Sequence, residues 1–326
     1  MKKKSILVSM VGIVLILALT LTGCAQKGST AEKYPTKPIN MVIAFSAGGS
    51  SDIQARIMQK YWNKYVPEQP WVFNYTTGAG GAIGFGAIAK AQPDGYTLGG
   101  VNTPHMIIQP MGQGAQFKID DFKYIAQVVT DPQVLAVQKD SKFKTWQEAI
   151  DYAKANPKKL KVGIVGTYTG HHMMLLDLQA KTGIEVTQLV YKGAADQNAA
   201  LLGKEIDLMV GNVNDVMRST ESIRILGAAA EKRSEFLPDV PTLKETGLDI
   251  ISEIRRGFVV PKATAPEKVT FLRDTFKKIQ ADSEYIADMK KAGQPTDFLS
   301  GEGFDKYVHD QEPINKALLV KFGLMK

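Results

Sequence analysis

Ile39-Asn40-Met41-Val42-Ile43-Ala44-Phe45 runs straight into Ser46-Ala47-Gly48-Gly49-Ser50-Ser51-Asp52, after which Ile53, Ile57, Met58, Tyr61 and Trp62 fall on one helical face. A short apolar run that ends in small residues and gives way to a 3.6-residue period reads as strand, loop and helix. The pattern recurs downstream. Residues 71–75 form a second strand, followed by Gly78-Ala79-Gly80-Gly81 and an alanine-rich helix to about Ala91; Pro93-Asp94-Gly95 then marks a turn before a third strand over 96–101. Strands alternating with helices predict a mostly parallel sheet covered on both faces.

Over 124–137 the pattern changes to two extended apolar stretches with no helix between them, which reads as a crossing into a second lobe. There Thr145 caps a helix with Trp146, Ala149, Ile150 and Ala153 on one side. Strands over 161–165, 185–191, 206–210 and 223–228 alternate with helices over 170–181 and 194–202. Pro238-Asp239-Val240-Pro241-Thr242 is a rigid loop, because each proline fixes its own φ and restricts the residue before it. A second extended run over 250–260 carries the chain back. Thr264 and Glu267 have the spacing of a capping box for a helix bearing Val269, Leu272, Phe276 and Ile279. A helical region follows Ser300, and Pro313 is expected to break or kink it. Two crossings between two lobes, 34–130 with 256–326 and 131–255, make a hinge around a cleft.

The first 33 residues bear on location. Lys2, Lys3 and Lys4 precede residues 6–21, which are apolar apart from Ser9, Gly12 and Thr20. This is the pattern of a signal peptide, residues 1–23. Leu21-Thr22-Gly23-Cys24 resembles a lipobox, in which cleavage before Cys24 leaves its thiol to carry a diacylglycerol; Cys24 is the chain's single cysteine. An uncleaved anchor is the alternative, since about 16–18 apolar residues nearly span a bilayer, but a span needs no cysteine at its outer edge. Residues 24–33 are small and polar and read as a lipidated tether. Losing three lysines lowers the formal charge from +7 to about +4. That charge is too mild and too evenly spread for nucleic-acid binding, yet it favours attraction of an anion.

Three loops carry the chemistry: Ser46 to Asp52, Thr77 to Gly81, and Gly166-Thr167-Tyr168-Thr169-Gly170. Each joins a strand to a helix through glycines that let a ligand approach the backbone, hydroxyls that donate hydrogen bonds, and first-turn N–H groups that favour an anion. In open α/β sheets such loops lie at the carboxyl ends of strands, where ligands bind.

Seven motifs then occur in one order: Tyr34-Pro35-Thr36-Lys37-Pro38-Ile39, Phe45 to Asp52, Gly78-Ala79-Gly80-Gly81-Ala82-Ile83-Gly84, Pro93-Asp94-Gly95-Tyr96-Thr97-Leu98, Tyr191-Lys192-Gly193, the stretch from Leu201 to Met209, and Asp239-Val240-Pro241-Thr242. Together they resemble the tripartite tricarboxylate transporter substrate-binding family across nearly all of the mature chain. The resemblance implies an α/β, periplasmic-binding-protein-like fold of type II. It also implies capture of a small carboxylate in the interlobe cleft without a cofactor, and delivery to the subunits of a membrane permease by a monomer. Carried over by position, it points to Ser46, Ala47, Gly48, Gly49, Asp52, Gly80, Thr167, Thr169, Gly170 and Tyr191 as ligand-binding. The chain departs from the family at the third loop, where His171 and His172 follow Thr169-Gly170, and at Leu189-Val190, which replaces Val-Pro.

Several residues admit two readings. His171 and His172 point about 100° apart on a helix and lack a third ligand, so one facing the cleft and one packing or capping is expected ahead of a metal site. Asp52 suits either a ligand's ammonium group or the first turn of its helix. Tyr191 suits a lobe-interface ring or a cleft-facing hydroxyl, Lys192 an anion or solvent, and Asn212, Asn214 and Asp215 the cleft or a turn. Two other functions compete: a ligand sensor for a membrane signalling protein, and an exported enzyme. Against the enzyme, Gly78 to Gly84 misses the dinucleotide spacing by one residue, the next acid, Asp94, sits in a turn, and no nucleophile elbow is present.

Overall fold

The computed structural model describes residues 34–325, so the signal segment, Cys24 and the whole tether lie outside the described residues. Apart from Asn40, β1 (Ile39–Ile43) is buried, as a strand covered on both faces must be. It pairs in parallel with β2 (Trp71–Tyr75) on one side and β3 (Thr97–Thr103) on the other. The helices α1 (Ser50–Tyr65), α2 (Ala82–Ala89) and α3 (His105–Gly112) follow these strands in turn.

The two extended stretches after residue 122 are one strand, β4 (Phe122–Gln138), 17 residues long. Up to Pro132 it pairs antiparallel with β9 (Glu253–Pro261). From Gln133 onward it pairs instead with β7 (Leu208–Asn212) and β8 (Ile223–Ala229). Proline has no N–H to give a ladder, and Pro132 stands where the partners change. Beyond the exchange, β5 (Lys161–Val165) lies parallel to both β7 and β6 (Thr187–Tyr191). The helices α4 (Trp146–Ala155), α5 (Gly170–Thr182), α6 (Ala194–Leu202) and the short α7 (Val213–Met217) complete this half. The sheet is thus parallel in each lobe, as expected, and antiparallel around the crossing strands.

After β9 the chain returns to the first half through α8 (Pro266–Gln280), α9 (Ser283–Lys291), β10 (Thr296–Ser300) and α10 (Gly301–Lys321). Each half has its own core. One gathers Phe45, Phe85, Phe117, Tyr124 and Phe304; the other gathers Leu135, Trp146, Leu160, Leu178 and Ile250.

Two local expectations need correction. Thr264 and Glu267 form no capping box: Ala265 is the N-cap, Pro266 with its fixed φ opens α8, and the buried Thr264 hydroxyl has no hydrogen-bond partner among the described residues. Pro313 does not break α10, which continues to Lys321. Packing overrides the proline, because Phe304 and Val308 before it and Leu319 beyond it are buried, and Asn315 Nδ2 donates to the Gln311 carbonyl.

Helix α10 lies directly on the crossing strands at Gly257. A Cβ there would stand 2.3 Å from the Phe304 ring and 2.5 Å from the Ala126 carbonyl oxygen. The backbone oxygen cannot swing aside, so Gly257→Ala forces strand and helix apart. A loss of about 1–3 kcal/mol is expected in urea denaturation; an unchanged midpoint would show that α10 sits loosely on the hinge.

Candidate functional site

A cavity of about 30 Å³ lies between the two halves, where the carboxyl ends of their strands face each other. Phe45, Gly49, Ser50 and Ser51 line it from the loop after β1 and the start of α1. Asn102 and His105 come from the end of β3 and the start of α3, and Ile254 and Arg256 from β9. The other half supplies Val165, His171, Ala194, Asn212 and Asp215, each at or just beyond the end of a strand. This is the position at which open α/β sheets hold ligands. At about 10–15 Å³ per water, the volume admits two or three waters, so the halves are drawn together.

Direct bonds hold them there. Ser46 Oγ donates to Asp196 Oδ2 at 2.7 Å, Arg218 Nη1 to the Gly48 carbonyl at 3.1 Å, and Asn214 Nδ2 to the Ala292 carbonyl at 2.7 Å. Ser50 Oγ donates to Asp215, whose other oxygen accepts from the Asn212 N–H at 3.1 Å. Elsewhere the halves meet backbone to backbone. A Cβ on Gly193 would lie 2.8 Å from Ser46 Cβ, and one on Gly80 would lie 2.6 Å from the Thr167 carbonyl. Gly193 has an extended φ of −169°, so it is required by this approach and not by its conformation.

The electrostatics centre on β9. Arg256 is buried and its Nη2 donates to Asp131 Oδ2 at 2.7 Å. Burial pushes the Asp131 carboxyl up to about 6 against the pull of that guanidinium. Arg256 Nη1 has no hydrogen-bond partner among the described residues, and neither does His105 Nδ1. Burial lowers the proton affinity of His105 far below that of free imidazole, and the neighbouring His171 and Arg256 lower it further. His171 is also lowered, chiefly by burial, and is neutral. Its Nδ1 accepts from the Val165 N–H, so its Nε2 carries the proton toward Asn212 Oδ1.

Of the residues expected from sequence, Gly49 lies on the cavity wall. Ser46, Gly48, Gly80 and Thr167 stand at the contact between the halves, and Ala47 beside them is exposed. Asp52 is engaged on its own side: it accepts from the Gly48 N–H at 2.8 Å, from Arg56 and from the Tyr75 hydroxyl, which leaves the first-turn role of the two considered. Thr169 is fully buried and caps α5, accepting from the His172 N–H and donating to the Gly166 carbonyl. Gly170 opens α5 against Ile254 and Pro104. The Tyr191 hydroxyl turns away to Glu205 at 2.8 Å. His171 is on the wall, whereas His172 packs its ring edge against Tyr168. No group of three metal-ligating side chains occurs among the described residues.

Asn102, His105 and Arg256 were not anticipated. The signal for Arg256 was present: Ile254, Arg256 and Phe258 alternate on one face of an extended run, and a charge in that row must be buried and paired. His105 carries no such signal: it opens α3, a helix with Pro110 inside it.

Residues 55–324 match the family model described as "Tripartite tricarboxylate transporter family receptor". A Cupriavidus necator relative, "UPF0065 protein in gbd 5'region", is 34% identical over 298 residues, covering 91% of this chain and 90% of its own. The solved "periplasmic binding protein BugD" superposes with a TM-score of 0.84 at 28% identity, over 90% of this chain and all of that one. A second solved structure, described as a periplasmic transporter, gives 0.85 at the same identity, over 90% of this chain and 99% of its own. A match of this extent, on a two-lobed fold whose strand ends converge on an interlobe cavity, makes the chain a member of the tripartite tricarboxylate transporter receptor family.

Proposed function

We propose that this protein captures a small organic acid between its lobes, residues 34–130 with 256–326 and 131–255, and hands it to the membrane subunits of a tripartite permease. The observation that carries this reading is the cavity wall. It is assembled from both lobes and from β9, so a solute seated there touches each of them at once. The wall also suits an acid: the first turn of α1 at Ser50 and Ser51 and the start of α6 at Ala194 bring backbone N–H groups to it, and Arg256 adds a buried positive charge. Receptor-family membership, with this wall, sets the enzyme reading aside. The loop residues act on capture in two ways. Gly49 meets the solute, whereas Ser46, Gly48, Gly80 and Thr167 set how closely the lobes approach.

The anchor is part of the same proposal. With residues 1–23 removed and a diacylglycerol on the Cys24 thiol, the tether over 24–33 keeps the receptor near its permease on the extracytoplasmic side. Cys24→Ser is expected to move the protein from the membrane fraction to the soluble fraction. Wild type recovered free of membrane, with no lipid mass on Cys24, would overturn this part.

Capture requires closure, since contacts to the second lobe exist only when the lobes approach. Gly193→Ala introduces a methyl group only 2.8 Å from Ser46 on the opposite lobe. In a parted form nothing across the cleft opposes it, so stability should change by less than about 0.5 kcal/mol. Affinity for the best acid in a panel of citrate, malate and succinate is expected to fall at least tenfold, about 1.4 kcal/mol. Small-angle scattering should show wild type, but not the variant, becoming more compact with that acid. Equal affinity and equal compaction in both would rule out capture by closure.

A further inference from the structure

The most unusual group in the cleft is Arg256. It is 2% exposed, its partner Asp131 is 0% exposed, and it sits on the crossing strand that forms the base of the cavity. The guanidinium is a rigid fork with five donors, matched to a carboxylate that accepts two of them. Asp131 takes Nη2 through Oδ2, while its Oδ1 accepts from the Asn214 N–H at 3.3 Å, so the pair is not a closed two-pronged contact. Nη1 is left without a partner among the described residues, and so is Nδ1 of His105 on the same wall. Buried polar groups are otherwise satisfied almost everywhere in proteins. The orphaned guanidinium nitrogen is always a donor, so it indicates an acceptor that the described residues do not supply; the imidazole nitrogen donates or accepts according to its tautomer.

The chemistry of that acceptor follows from its neighbours. An ammonium group would face the Arg256 guanidinium, and the Asp215 carboxylate on the same wall already accepts from Ser50 and from the Asn212 N–H. A neutral amide would satisfy Nη1 yet leave the guanidinium with only Asp131 for charge. A carboxylate oxygen satisfies the donor and adds a second anion to a fork that can serve two. The first turns of α1 and α6 present their donors from the strand ends, a different part of the wall from the β9 base. An acid admitted as the lobes part meets donors of both kinds.

We propose that Arg256 is the specificity-determining residue of the cleft, and that it selects small dicarboxylates by taking their second carboxylate on its unpartnered edge, beside His105. This rests on the reading of the cleft as an organic-acid site. Asp131 is the positioning residue: it holds the guanidinium on the base of the cavity. His105 is neutral and does not repel the arginine.

Calorimetry with malonate, succinate, glutarate and adipate, each against its half-amide, tests the proposal on the intact receptor. In wild type the best dicarboxylate is expected to bind at least tenfold more tightly than its half-amide. Arg256→Gln should bring that ratio to within about twofold. Because this variant strands a buried Asp131, the pair Asp131→Asn with Arg256→Gln serves as the variant that keeps the fold, checked by circular dichroism; Arg256→Lys should give an intermediate ratio. A wild-type ratio near one, or a tenfold ratio that survives in the folded double variant, overturns the role of Arg256 and leaves the organic-acid reading standing. Folded wild type that binds none of these acids, citrate or malate overturns both.

Discussion

Strands β4 and β9 run antiparallel from the Phe122–Pro261 pair to the Pro132–Glu253 pair, and each passes from one lobe to the other at the end of that ladder. Both halves of the molecule hang from this one ribbon. Its hydrogen bonds fix the spacing of the two crossings, and the buried Asp131–Arg256 pair spans it at the point where β4 is about to change partners. Burying two charges is expensive unless each is bonded to the other and to its surroundings. The ribbon therefore contains a strict geometric requirement at the place where a hinge must be reproducible. The α10 helix, seated over Gly257, backs the same segment from outside.

What the sequence disclosed follows from what periodicity can carry. Strand, loop and helix were readable at β1 and α1, because apolar residues in a row, then glycines, then a 3.6-residue spacing leave little choice. The crossings were readable as extended runs without helices, although not as one unbroken strand, since Pro132 looks like an end until its partner exchange is seen. The cleft was legible as a set of loops and not as a set of walls. Thr169 and Asp52 have the composition of ligand-binding residues, yet their side chains are used up in capping α5 and in tying the first loop to Arg56 and Tyr75. Which atoms of a polar residue are already bonded is a matter of three-dimensional neighbours, and no one-dimensional pattern contains it. Arg256 shows the reverse case, a residue whose alternation with Ile254 and Phe258 announced its burial while its pairing lay 125 positions away.

The interior of the cleft also sorts its ionisable groups by environment. Two histidines, His105 and His171, lie on its wall and a third, His172, packs against Tyr168; burial holds all three below their ordinary proton affinity. Neutral imidazoles can orient a ligand through one donor and one acceptor without adding charge. Positive charge is thereby concentrated at Arg256 and at Arg218, which bridges the lobes at Gly48. A receptor built this way separates the task of attracting an anion from that of ordering it.

The lobes bind each other as well as whatever lies between them. Ser46 with Asp196, Arg218 with Gly48 and Asn214 with Ala292 are contacts of the protein with itself. A receptor that shuts without cargo hides its own site, and the observed affinity is the intrinsic one scaled by the fraction of molecules still open. Every bond added across the mouth therefore slows both loading and release, and it increases the share of empty, closed receptors that a transporter would encounter and reject. The sparse polar rim and the methyl-free backbone contacts at Gly80 and Gly193 can be understood as a compromise between sealing the cargo and keeping the traffic of vacant receptors low.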